Sequence, residues 1–508
     1  MKITYGTAGF RYNHKIIEEI AFKIGIGLVL CSIFTNKRIG VMITASHNKY
    51  EDNGIKITDD KGEMISQQLE ETMTRVVNSE FGEIPNLTVE IVIGQDTRKS
   101  GTKIKNLIID GAKSVCDDVR IVDLGKVTTP EHHYYLHNNI KPWFNSYDDI
   151  QTQDFDRNIV FKQDQDYVDK YIDIYSKLEI DRPVVVDCAN GVGYLTLSNI
   201  LKGSEKESSI SLVNIDTKKY TQLNNKCGSD YVMNNLTKDN VPYIGQEHNK
   251  LGVSFDGDAD RIICYFEEND KMYLLDGDHI SALILYYFTN VLKLGNGLID
   301  ISVIHTGYSN GAFIDFCEKK GINTICCPTG VKHLDKEARD KEIGLYFEYN
   351  GHGTCLFKDT FSILPLQPQK AIGCKLQSSC DFPKFDFLKQ VFNQVVGDAI
   401  GTLAAILFIL NETKLGLMDW YKLYDKRNCL NSKVQVKDKT VYKTNSLGTK
   451  LLEPQEIALN IRDVFDEEEV RGFIRPSGTE DIVRIYVEGD KTDDELKQIV
   501  EKIKKILI

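Results

Sequence analysis

The sequence predicts an α/β fold that is divided into several domains. Three stretches have the form of a buried strand that runs into a polar turn containing glycine, and helical patterns lie between them. Continuous apolar strands are typical of sheets covered on both faces, and their alternation with helices indicates α/β units. A chain of 508 residues exceeds one hydrophobic core, so about three or four domains are expected. The three stretches are residues 91–101, 184–193 and 251–261.

Apolar patterns place further elements and the limits of the domains. The longest apolar stretches are Ile24–Phe34 and Ala399–Leu410; both fall short of the roughly 20 residues that span a bilayer, and we interpret them as buried helices. Residues 141–164 are polar and lack periodicity, which indicates a boundary after the first domain. A second domain is expected from about Arg182 through the strand Ile262–Phe266, and a third domain follows it.

The C-terminal part of the chain has a different pattern, which predicts a small α+β domain. Residues 483–489 alternate like a half-exposed strand. The tail that follows begins with Thr492 as a helix N-cap and continues with an acidic first turn. Its apolar residues recur at helical spacing and should be buried: Leu496, Ile499, Val500, Ile503 and Leu507.

Composition and charge exclude some classes of partner. Hydrophobic residues make up 42% and charged residues 27%, which is ordinary for a globular protein. The formal net charge of −12 argues against nucleic acid or an anionic membrane as a general partner. The 12 cysteines show no repeated spacing, which favours reduced thiols. Because the N-terminal residues also lack a signal pattern, we expect a soluble cytoplasmic protein.

Residues 41–57 contain an apolar run that turns sharply into Ser46, His47 and Asn48. A buried strand that ends in a polar turn presents a serine hydroxyl to a ligand instead of packing it in the core. Serine is a weak nucleophile unless it is activated, and His47 and Lys56 are the candidates for that role. Ordinary turn chemistry is the alternative interpretation of such a Ser-His pair.

Asp256, Asp258 and Asp260 alternate within a turn that is flanked by apolar runs. Three crowded carboxylates repel one another unless a cation lies among them, and hard oxygen ligands select Mg²⁺ or Ca²⁺. An EF-hand is one alternative, since Glu267 stands at its twelfth position; however, Arg261 occupies the sixth position, where an EF-hand needs glycine. A solvated acidic turn is the other alternative, and the apolar flanks argue against it.

A candidate phosphate loop follows a strand-like segment near the C-terminal end of the chain. Gly478 stands between the hydroxyl residues Ser477 and Thr479, and such a turn can point backbone N–H groups at an anion. Arg475 adds a planar bidentate donor, and Arg484 in the next strand could return to the same site. Turns of this kind also cap helices, so this loop alone is a weak signal.

A candidate sugar loop places Glu348, Asn350 and His352 at alternating positions. Alternation puts the three side chains on one side of an extended segment, where they suit a ligand rich in hydroxyl groups. A polar hairpin turn is the alternative interpretation. Lys332 and His333 are further candidates in a neighbouring loop, although such residues are usually only solvated.

These loops, in this order, resemble those of the α-D-phosphohexomutases. The resemblance runs from GTAGFR at Gly6–Arg11 to Glu480 and includes TASHN, DNGIK, DGDADR and RPSGTED. Phosphoglucomutases and phosphomannomutases typically have E-x-S-G-H in the sugar loop, whereas this chain has Asn350 in place of that serine. In this respect the chain resembles the branch that acts on N-acetylglucosamine phosphates, as do LNNKCGSDYV and TTPEHHY.

The resemblance implies a fold of four domains around a central cleft: three related α/β domains with mixed sheets, and a smaller C-terminal α+β domain. It implies the domains 1–165, 166–272, 273–395 and 396–508. These domains would carry, in order, the phosphoserine, metal, sugar-binding and phosphate-binding loops. The implied protein is a cytoplasmic phosphomutase of the amino-sugar metabolism that leads to UDP-N-acetylglucosamine. It would be a monomer that binds neither nucleic acid nor membrane.

The same resemblance implies a mechanism. A phosphorylated Ser46 would donate its phosphoryl group to the sugar monophosphate, and a 1,6-bisphosphate would turn over and return the other phosphoryl group. One Mg²⁺ per chain would be held by the phosphate on Ser46 and by three aspartates, Asp256, Asp258 and Asp260. A phosphate grip that serves two orientations indicates a movable fourth domain.

The remaining site residues are implied in four groups. Proton transfer is assigned to His47 and Lys56, and stabilisation of the serine phosphate or its metal ligands to Arg11 and Arg261. Glu348 and Asn350 would bind sugar hydroxyls or the acetamido group, and His352 and Lys332 would be further substrate-binding residues. The phosphate that is not reacting would be bound by Arg475, Ser477, Gly478, Thr479 and Arg484.

Two departures from the family pattern and two alternative functions accompany this assignment. Lys49 stands where the family commonly has proline, which predicts a less rigid and more cationic loop, and Gln95 replaces a usual arginine. A phosphoglucomutase or phosphomannomutase is the alternative within the enzymes. A catalytically silent phosphosugar-binding relative is the alternative outside them, although the chain keeps Ser46 and the three aspartates.

Overall fold

The computed structural model describes residues 2–6, 9–79, 87–138, 166–241, 249–294, 299–358, 381–477 and 481–507. The boundary predicted at residues 141–164 lies outside the described residues. The chain divides into two compact units. Unit 1 comprises residues 1–276, 350–354 and 386–417, and unit 2 comprises residues 277–349, 355–385 and 418–508.

The first sheet is a five-stranded mixed sheet in the order β1-β3-β2-β4-β5. β2 runs parallel to β4 and antiparallel to β3, and every residue of β2 is buried, as predicted from the apolar run before Ser46. The strands are β1 Phe10–Asn13, β2 Ile39–Ile43, β3 Asp52–Thr58, β4 Val89–Gln95 and β5 Val119–Lys126. The helices are α1 His14–Thr35, α2 Gln67–Asn78, α3 Gly101–Lys113 and α4 Thr129–His137.

Helix α1 contains the predicted apolar stretch Ile24–Phe34, and its interior is buried, which confirms the buried helix. The helix begins after Asn13, whose side chain accepts a hydrogen bond from the N–H of Lys15, and ends at Asn36 in the left-handed conformation. Gly25 allows α1 to pack closely on α3, because a Cβ atom there would collide with the carbonyl of Ile108. The long apolar helix is therefore explained by close packing within a globular unit.

The second sheet is also mixed, in the order β10-β9-β8-β6-β7. β6 runs parallel to β7 and β8, while β8 and β9 are antiparallel neighbours on either side of the aspartate turn. The strands are β6 Val184–Asp187, β7 Ile210–Val213, β8 Leu251–Phe255, β9 Ile262–Glu268 and β10 Lys271–Leu275. The helices are α5 Tyr167–Ser176, α6 Gly193–Gly203 and α7 Ser229–Asn234.

The third sheet has four strands in the order β12-β11-β13-β14. β11 is central and runs parallel to β12 and β13. The strands are β11 Ile301–Thr306, β12 Asn323–Cys327, β13 Ile343–Phe347 and β14 Gly353–Phe357. The helices are α8 Gly277–Tyr286, continued by a π-helical turn at Tyr287–Val291, α9 Gly311–Lys319 and α10 Val331–Arg339.

Three helices follow the described part of the third sheet: α11 Phe382–Val391, α12 Ala399–Thr413 and α13 Leu417–Tyr421. α12 contains the second predicted buried helix, and its residues from Ala399 to Leu407 are buried. Its N-cap is Asp398, whose carboxylate accepts hydrogen bonds from the N–H groups of Ile400 and Gly401 and from the hydroxyl of Tyr167 at 2.9 Å. A buried charge is thus satisfied at the helix end.

The C-terminal α+β portion has a three-stranded sheet, β15-β19-β18, and a two-stranded sheet, β16-β17. The strands are β15 Asn428–Gln435, β16 Lys443–Thr444, β17 Leu451–Glu453, β18 Arg471–Pro476 and β19 Ile482–Gly489. The helices are α14 Gln455–Glu467 and α15 Asp493–Leu507. The predicted terminal helix is confirmed: all five of its predicted apolar positions are buried, and Thr492 Oγ1 accepts the N–H of Glu495.

The prediction that residues 483–489 form a half-exposed strand is wrong. β19 is the central strand of its sheet, and among its residues only Arg484 is exposed. Tyr486 packs against Tyr308, with ring centroids 5.6 Å apart, and Glu488 accepts a hydrogen bond from the N–H of Gly311. The second face of the strand is therefore covered by the loop between β11 and α9.

The helices and the cysteines of the described residues agree with the predicted helix lengths and with the predicted thiol state. No helix there combines the length and the apolar character needed to cross a bilayer. Every cysteine in the described residues has a free thiol, as expected from their irregular spacing, and most of these thiols are buried.

Candidate active site

The turn after β2 holds Ser46 in a defined and unusual backbone conformation. Ser46 has a φ of 53°, in the left-handed region, and is 1% exposed. Its N–H donates to Thr44 Oγ1 at 2.9 Å, and that hydroxyl donates to Asp96 Oδ2 at 2.8 Å. A non-glycine residue in this region is strained, and such strain is concentrated at functional sites.

The aspartate turn between β8 and β9 lies directly against Ser46. Oγ of Ser46 donates a hydrogen bond to Oδ2 of Asp256 at 2.6 Å. The carboxylates of Asp256, Asp258 and Asp260 are buried, and one ligand atom from each lies within 4.8 Å of the others. The flanking elements are strands and the carboxylates are at most 4% exposed, which excludes both the EF-hand and the solvated turn.

Lys56 and Thr129 satisfy part of this cluster. Lys56 Nζ donates to Asp258 Oδ2 at 2.9 Å and to Asp260 Oδ2 at 2.8 Å, and Thr129 Oγ1 donates to Asp258 Oδ2 at 2.7 Å. Oδ1 of Asp258 is buried without a hydrogen-bond partner in the described part of the chain. A buried carboxylate oxygen of this kind, beside two further carboxylates, fits a hard divalent cation such as Mg²⁺.

The crowding of the three carboxylates appears in their pKa values. Burial, together with the charges of Asp260 and Asp258, raises the pKa of Asp256 well above its ordinary value. Burial acts in the same direction on Asp260, but Lys56, His352 and Arg261 hold the pKa of that carboxyl well below its ordinary value. The ionised form of Asp256 is therefore disfavoured by burial and by its two neighbouring carboxylates, and a bound cation would relieve that repulsion.

Cationic and neutral nitrogen groups surround the same cluster. Arg261 Nε lies 3.8 Å from both Asp256 Oδ2 and Asp260 Oδ1. Arg11 lies on β1, and burial followed by the charge of Arg261 lowers its pKa. Burial and the same two arginines hold the pKa of His47 well below its ordinary value, so its imidazole is neutral at pH 7. The predicted catalytic residues thus converge on unit 1.

The predicted sugar loop is a turn between β13 and β14, so the prediction of an extended segment is wrong. Gly351 has a φ of 81°, and its carbonyl accepts the N–H of Ile262. His352 Nδ1 lies 3.2 Å from Asp260 Oδ1, so His352 contacts the metal loop. Asn350 Oδ1 accepts the N–H of His352 at 3.0 Å and stabilises the turn. The polar hairpin alternative therefore describes the backbone correctly.

Two other predicted substrate residues belong to unit 2. Glu348 lies at the end of β13, where its carbonyl packs so closely on Gly277 that a Cβ atom there would collide with it. Lys332 lies in the first turn of α10 and is half-buried. Both residues lie in residues 277–349 of unit 2.

The phosphate loop is described in part, because Gly478 and Thr479 lie outside the described residues. Ser477 is buried, and its N–H donates to the carbonyl of Ile482 at 2.9 Å. Arg475 and Arg484 are directly opposite on β18 and β19, and Lys433 is directly opposite Arg484 on β15. Three cations in one cross-strand row repel one another, and an anion would relieve that repulsion.

Several residues that position the site were not selected from the sequence. Thr129 and Asn224 belong to segments noted only for their resemblance to a family, and Arg98 belongs to the segment noted for Gln95. Arg98 is 3% exposed and donates to four main-chain carbonyls of the serine loop, including that of Lys49, which fixes the loop where a proline is missing. Gln95 is buried, and its amide donates to Thr102 Oγ1 at 3.4 Å.

Comparison with known proteins agrees with this geometry. Residues 276–415 match the family model described as phosphoacetylglucosamine mutase AMG1, domain III. Three models of the phosphoglucomutase/phosphomannomutase family also match: α/β/α domain I over residues 27–84, α/β/α domain II over residues 165–269, and the C-terminal domain over residues 432–506. The fold and the site define a phosphohexomutase, an intramolecular phosphotransferase built from four domains.

Relatives of full length specify the family further. The chain is 34% identical to phosphoacetylglucosamine mutase 1 of Schizosaccharomyces pombe over 100% of this chain and 99% of that protein. A crystal structure of an N-acetylglucosamine-phosphate mutase in its substrate complex superposes with a TM-score of 0.86 at 32% identity, covering 100% and 96% of the two chains. This chain belongs to the phosphoacetylglucosamine mutase family.

A third relative has been solved with ligands. The N-acetylphosphoglucosamine mutase of Aspergillus fumigatus, in complex with GlcNAc-6P and magnesium, superposes with a TM-score of 0.85 at 28% identity and covers 100% and 95% of the two chains. A serine-to-alanine variant of that protein has been solved in complex with glucose 1,6-bisphosphate.

Proposed function

We propose that the chain interconverts N-acetylglucosamine 6-phosphate and N-acetylglucosamine 1-phosphate, with Ser46 carrying the phosphoryl group between the two positions. The observation that carries this proposal is the 2.6 Å hydrogen bond from Ser46 Oγ to Asp256, within a buried cluster of three carboxylates. A serine hydroxyl in contact with a carboxylate cluster that could hold a divalent cation supports a role for Ser46 in phosphoryl transfer. The Aspergillus complexes with GlcNAc-6P and with a sugar bisphosphate support the same substrate class.

In the proposed reaction, the bond between phosphorus and Oγ of Ser46 breaks as a bond from phosphorus to a sugar hydroxyl oxygen forms. The proton of that hydroxyl passes to the neutral imidazole of His47. Oγ of Ser46 takes up a proton as it leaves, and the Lys56 ammonium, which is paired with two carboxylates, is the candidate donor. The resulting 1,6-bisphosphate turns over, and its other phosphoryl group returns to Ser46 while a proton returns to the released sugar oxygen. Atoms and charge balance over the two steps, so the enzyme is regenerated.

One Mg²⁺ per chain is proposed for the aspartate turn, where Asp256, Asp258 and Asp260 would hold it together with the phosphate on Ser46. The bound ion would neutralise charge on the transferring phosphoryl group. Lys56 holds Asp258 and Asp260 in place through two short contacts. Arg11 and Arg261 bring positive charge toward the same phosphate.

The sugar is proposed to be recognised by Glu348, Asn350, His352 and Lys332. Among these residues, Asn350 is proposed to contact the acetamido group. Arg475, Ser477, Gly478, Thr479 and Arg484 are proposed to grip the phosphate that is not reacting, and Lys433 joins them. The row of Lys433, Arg484 and Arg475 supports this anion site, because no acidic residue shares those paired positions. A domain that moves with this grip would serve both orientations of the bisphosphate.

The proposal also covers the domain limits, the oligomeric state and the cellular role of the protein. We propose the domain limits 1–165, 166–272, 273–395 and 396–508, a monomer in the cytoplasm, and a place in UDP-N-acetylglucosamine biosynthesis. The negative formal net charge of the whole chain, −12, supports a small-molecule ligand over nucleic acid, since an acidic protein repels the phosphate backbone.

Intact mass measured before and after incubation with N-acetylglucosamine 1,6-bisphosphate tests the nucleophile. The wild-type chain should gain one phosphoryl group, and Ser46→Ala should gain none; Ser79→Ala, at an exposed serine of the same unit, is the matched control and should behave as wild type. Mutase turnover that persists in Ser46→Ala would overturn the assignment.

Turnover rates on N-acetylglucosamine 1-phosphate and glucose 1-phosphate test the substrate. The acetamido sugar should have the higher kcat/KM. A strong preference for glucose or mannose phosphate would identify a phosphoglucomutase or phosphomannomutase instead, and no turnover of any sugar phosphate would identify a silent relative.

A further inference from the structure

We infer that Asn224 is a positioning residue that, together with Arg98, fixes the main chain of Ser46 for phosphoryl transfer; this inference rests on the proposed role of Ser46. Asn224 Nδ2 donates to the carbonyl oxygen of Ser46 at 2.7 Å and to that of Asn48 at 2.9 Å. Arg98 Nη2 donates to the same two oxygens at 3.0 Å and 2.8 Å. Two donors from different loops thus share the same pair of acceptors.

The backbone of Ser46 needs such support. Its φ of 53° is an unfavourable conformation for a residue with a side chain, and it persists only where surrounding contacts over-determine it. The carbonyls of Ser46 and Asn48 lie on either side of His47, so fixing both defines the path of the turn. With the main chain fixed in this way, rotation about the side-chain bond alone aims Oγ of Ser46.

Arg98 and Asn224 contribute from different parts of unit 1. Arg98 follows β4 in the first sheet, and Nε of Arg98 donates to Oδ2 of Asp96 at 3.0 Å, so it belongs to the same sheet as Ser46. Asn224 precedes α7 in the portion that contains the second sheet, and its own N–H donates to the carbonyl of Ala189 at 3.0 Å. Asn224 is therefore one of the side chains that connect the serine turn to the portion of unit 1 that bears the aspartates, and it does so through the main chain of Ser46.

Close packing beside Asn224 strengthens this connection. A Cβ atom at Gly257, within the aspartate turn, would lie 2.7 Å from the carbonyl oxygen of Ser46 and 2.9 Å from Asn224 Nδ2. The amide of Asn224 thus lies where the serine turn and the aspartate turn meet. A shift of this amide would change the position of Ser46 Oγ relative to Asp256.

The backbone of Asn224 determines which substitutions are informative. Its φ of 54° is tolerated by asparagine, aspartate and glycine, so Asn224→Asp keeps shape and conformation but replaces the donor NH₂ group with an oxygen that repels both carbonyls. Asn225 is the adjacent, exposed residue, and Asn225→Asp makes the same change of charge without facing Ser46. It is the matched control.

The experiment compares wild type, Asn224→Asp and Asn225→Asp by steady-state kinetics, by thermal unfolding and by the rate at which intact mass rises with N-acetylglucosamine 1,6-bisphosphate. We expect Asn224→Asp to lower kcat and the labelling rate by roughly 10- to 100-fold, as misplacement of a reacting group does, with KM and Tm near those of Asn225→Asp. A purely structural role would instead lower Tm.

The possible results distinguish the positioning role of Asn224 from the proposed function of the protein. A kcat and labelling rate of Asn224→Asp within about twofold of Asn225→Asp would overturn the positioning role, since a rate change of that size falls far short of misplacement. If Asn224→Asp lowers Tm, then Asn224→Gly, which removes the amide without adding charge, has to show the same loss of kcat at a wild-type Tm, or the inference is wrong. Failure of wild type itself to gain a phosphoryl group would overturn the proposed function instead.

Discussion

Arg475 and Arg484 occupy directly opposite positions on two antiparallel strands, with their side chains on the same face of the sheet. Like charges in this arrangement destabilise a sheet, and no stability argument accounts for them. Lys433 extends the row on the third strand. The repulsion is explained if these side chains bind a dianionic phosphate, which a bidentate guanidinium recognises well.

Lys433→Ala should weaken phosphate binding while relieving the repulsion. We expect KM for the sugar phosphate to rise roughly 5- to 10-fold, as for the loss of about 1–1.4 kcal/mol of binding, with a smaller change in kcat. Tm without ligand should stay level or rise, and the rise in Tm caused by inorganic phosphate should shrink.

Lys437→Ala is the matched control, since Lys437 is an exposed lysine just beyond β15. It should leave KM and the phosphate-induced rise in Tm unchanged. Equal effects of the two substitutions would show that only the general charge of the surface matters.

Asp258→Asn should remove a ligand of the proposed Mg²⁺. Its Oδ1 has no hydrogen-bond partner in the described residues, and its Oδ2 contacts Lys56 and Thr129. We expect the difference in Tm between Mg²⁺ and EDTA to vanish, and Mg²⁺ affinity to fall by more than the roughly 10- to 100-fold cost of an outer-shell change. Asp270→Asn, at a side chain that is 94% exposed, should keep the full metal effect.

Acid should destabilise the protein through His133. Burial lowers the pKa of His133 from 6.5 to about 4, and its ring donates to the carbonyl of Gly62. Above pH 6.5 the imidazole is neutral in the folded and the unfolded chain, so it adds no pH dependence. Between pH 6.5 and about 4 only the unfolded chain takes up the proton, so stability falls as pH falls, by about 2 kcal/mol at pH 5.

His133→Asn tests that dependence, because an asparagine amide can donate to the same carbonyl without titrating. The loss of unfolding free energy between pH 7 and pH 5, measured by urea denaturation, should become smaller by about 2 kcal/mol. His137→Asn, on the exposed side of the same helix, should leave the loss as it is in wild type. An unchanged pH dependence in His133→Asn would contradict the assignment.

Glu488→Gln should destabilise unit 2. The buried carboxylate of Glu488 accepts hydrogen bonds from Arg471 at 2.8 Å, from Tyr486 at 2.6 Å and from the N–H of Gly311 at 2.8 Å. Because Arg471 is 40% exposed, we expect a loss of about 2–3 kcal/mol, below the full cost of breaking a buried pair. Tyr486→Phe removes one of these bonds and should cost about 1 kcal/mol in urea denaturation.

Sequence patterns predicted the elements that depend on local information. Both apolar helices, the terminal helix with its Thr492 cap and the buried strands before Ser46 and Asp256 are all confirmed, because burial on a regular element leaves a periodic trace. β19 was predicted as half-exposed, because the residues that cover its second face lie in a distant loop.

Parts of the site could not be found in this way. Ser46 and the aspartates stand out as motifs, whereas Asn224 acts through an amide that crosses from another loop, and nothing in its neighbouring residues specifies that contact. His352 was expected to face the ligand along an extended segment. The positive φ of Gly351 turns the chain back instead, and the ring contacts Asp260.

The close packing at Gly257 limits the substitutions that this position can accept during evolution. A single methyl group there would collide with the carbonyl oxygen of Ser46 and with the amide of Asn224, while the strands on either side could still form. Gly257→Ala would then lower stability through the contact with the Ser46 carbonyl and, by displacing the serine turn, would be severe for turnover. A distant relative that keeps the serine and all three aspartates but lacks this glycine should therefore be an inactive homologue that passes every test based on its reactive residues.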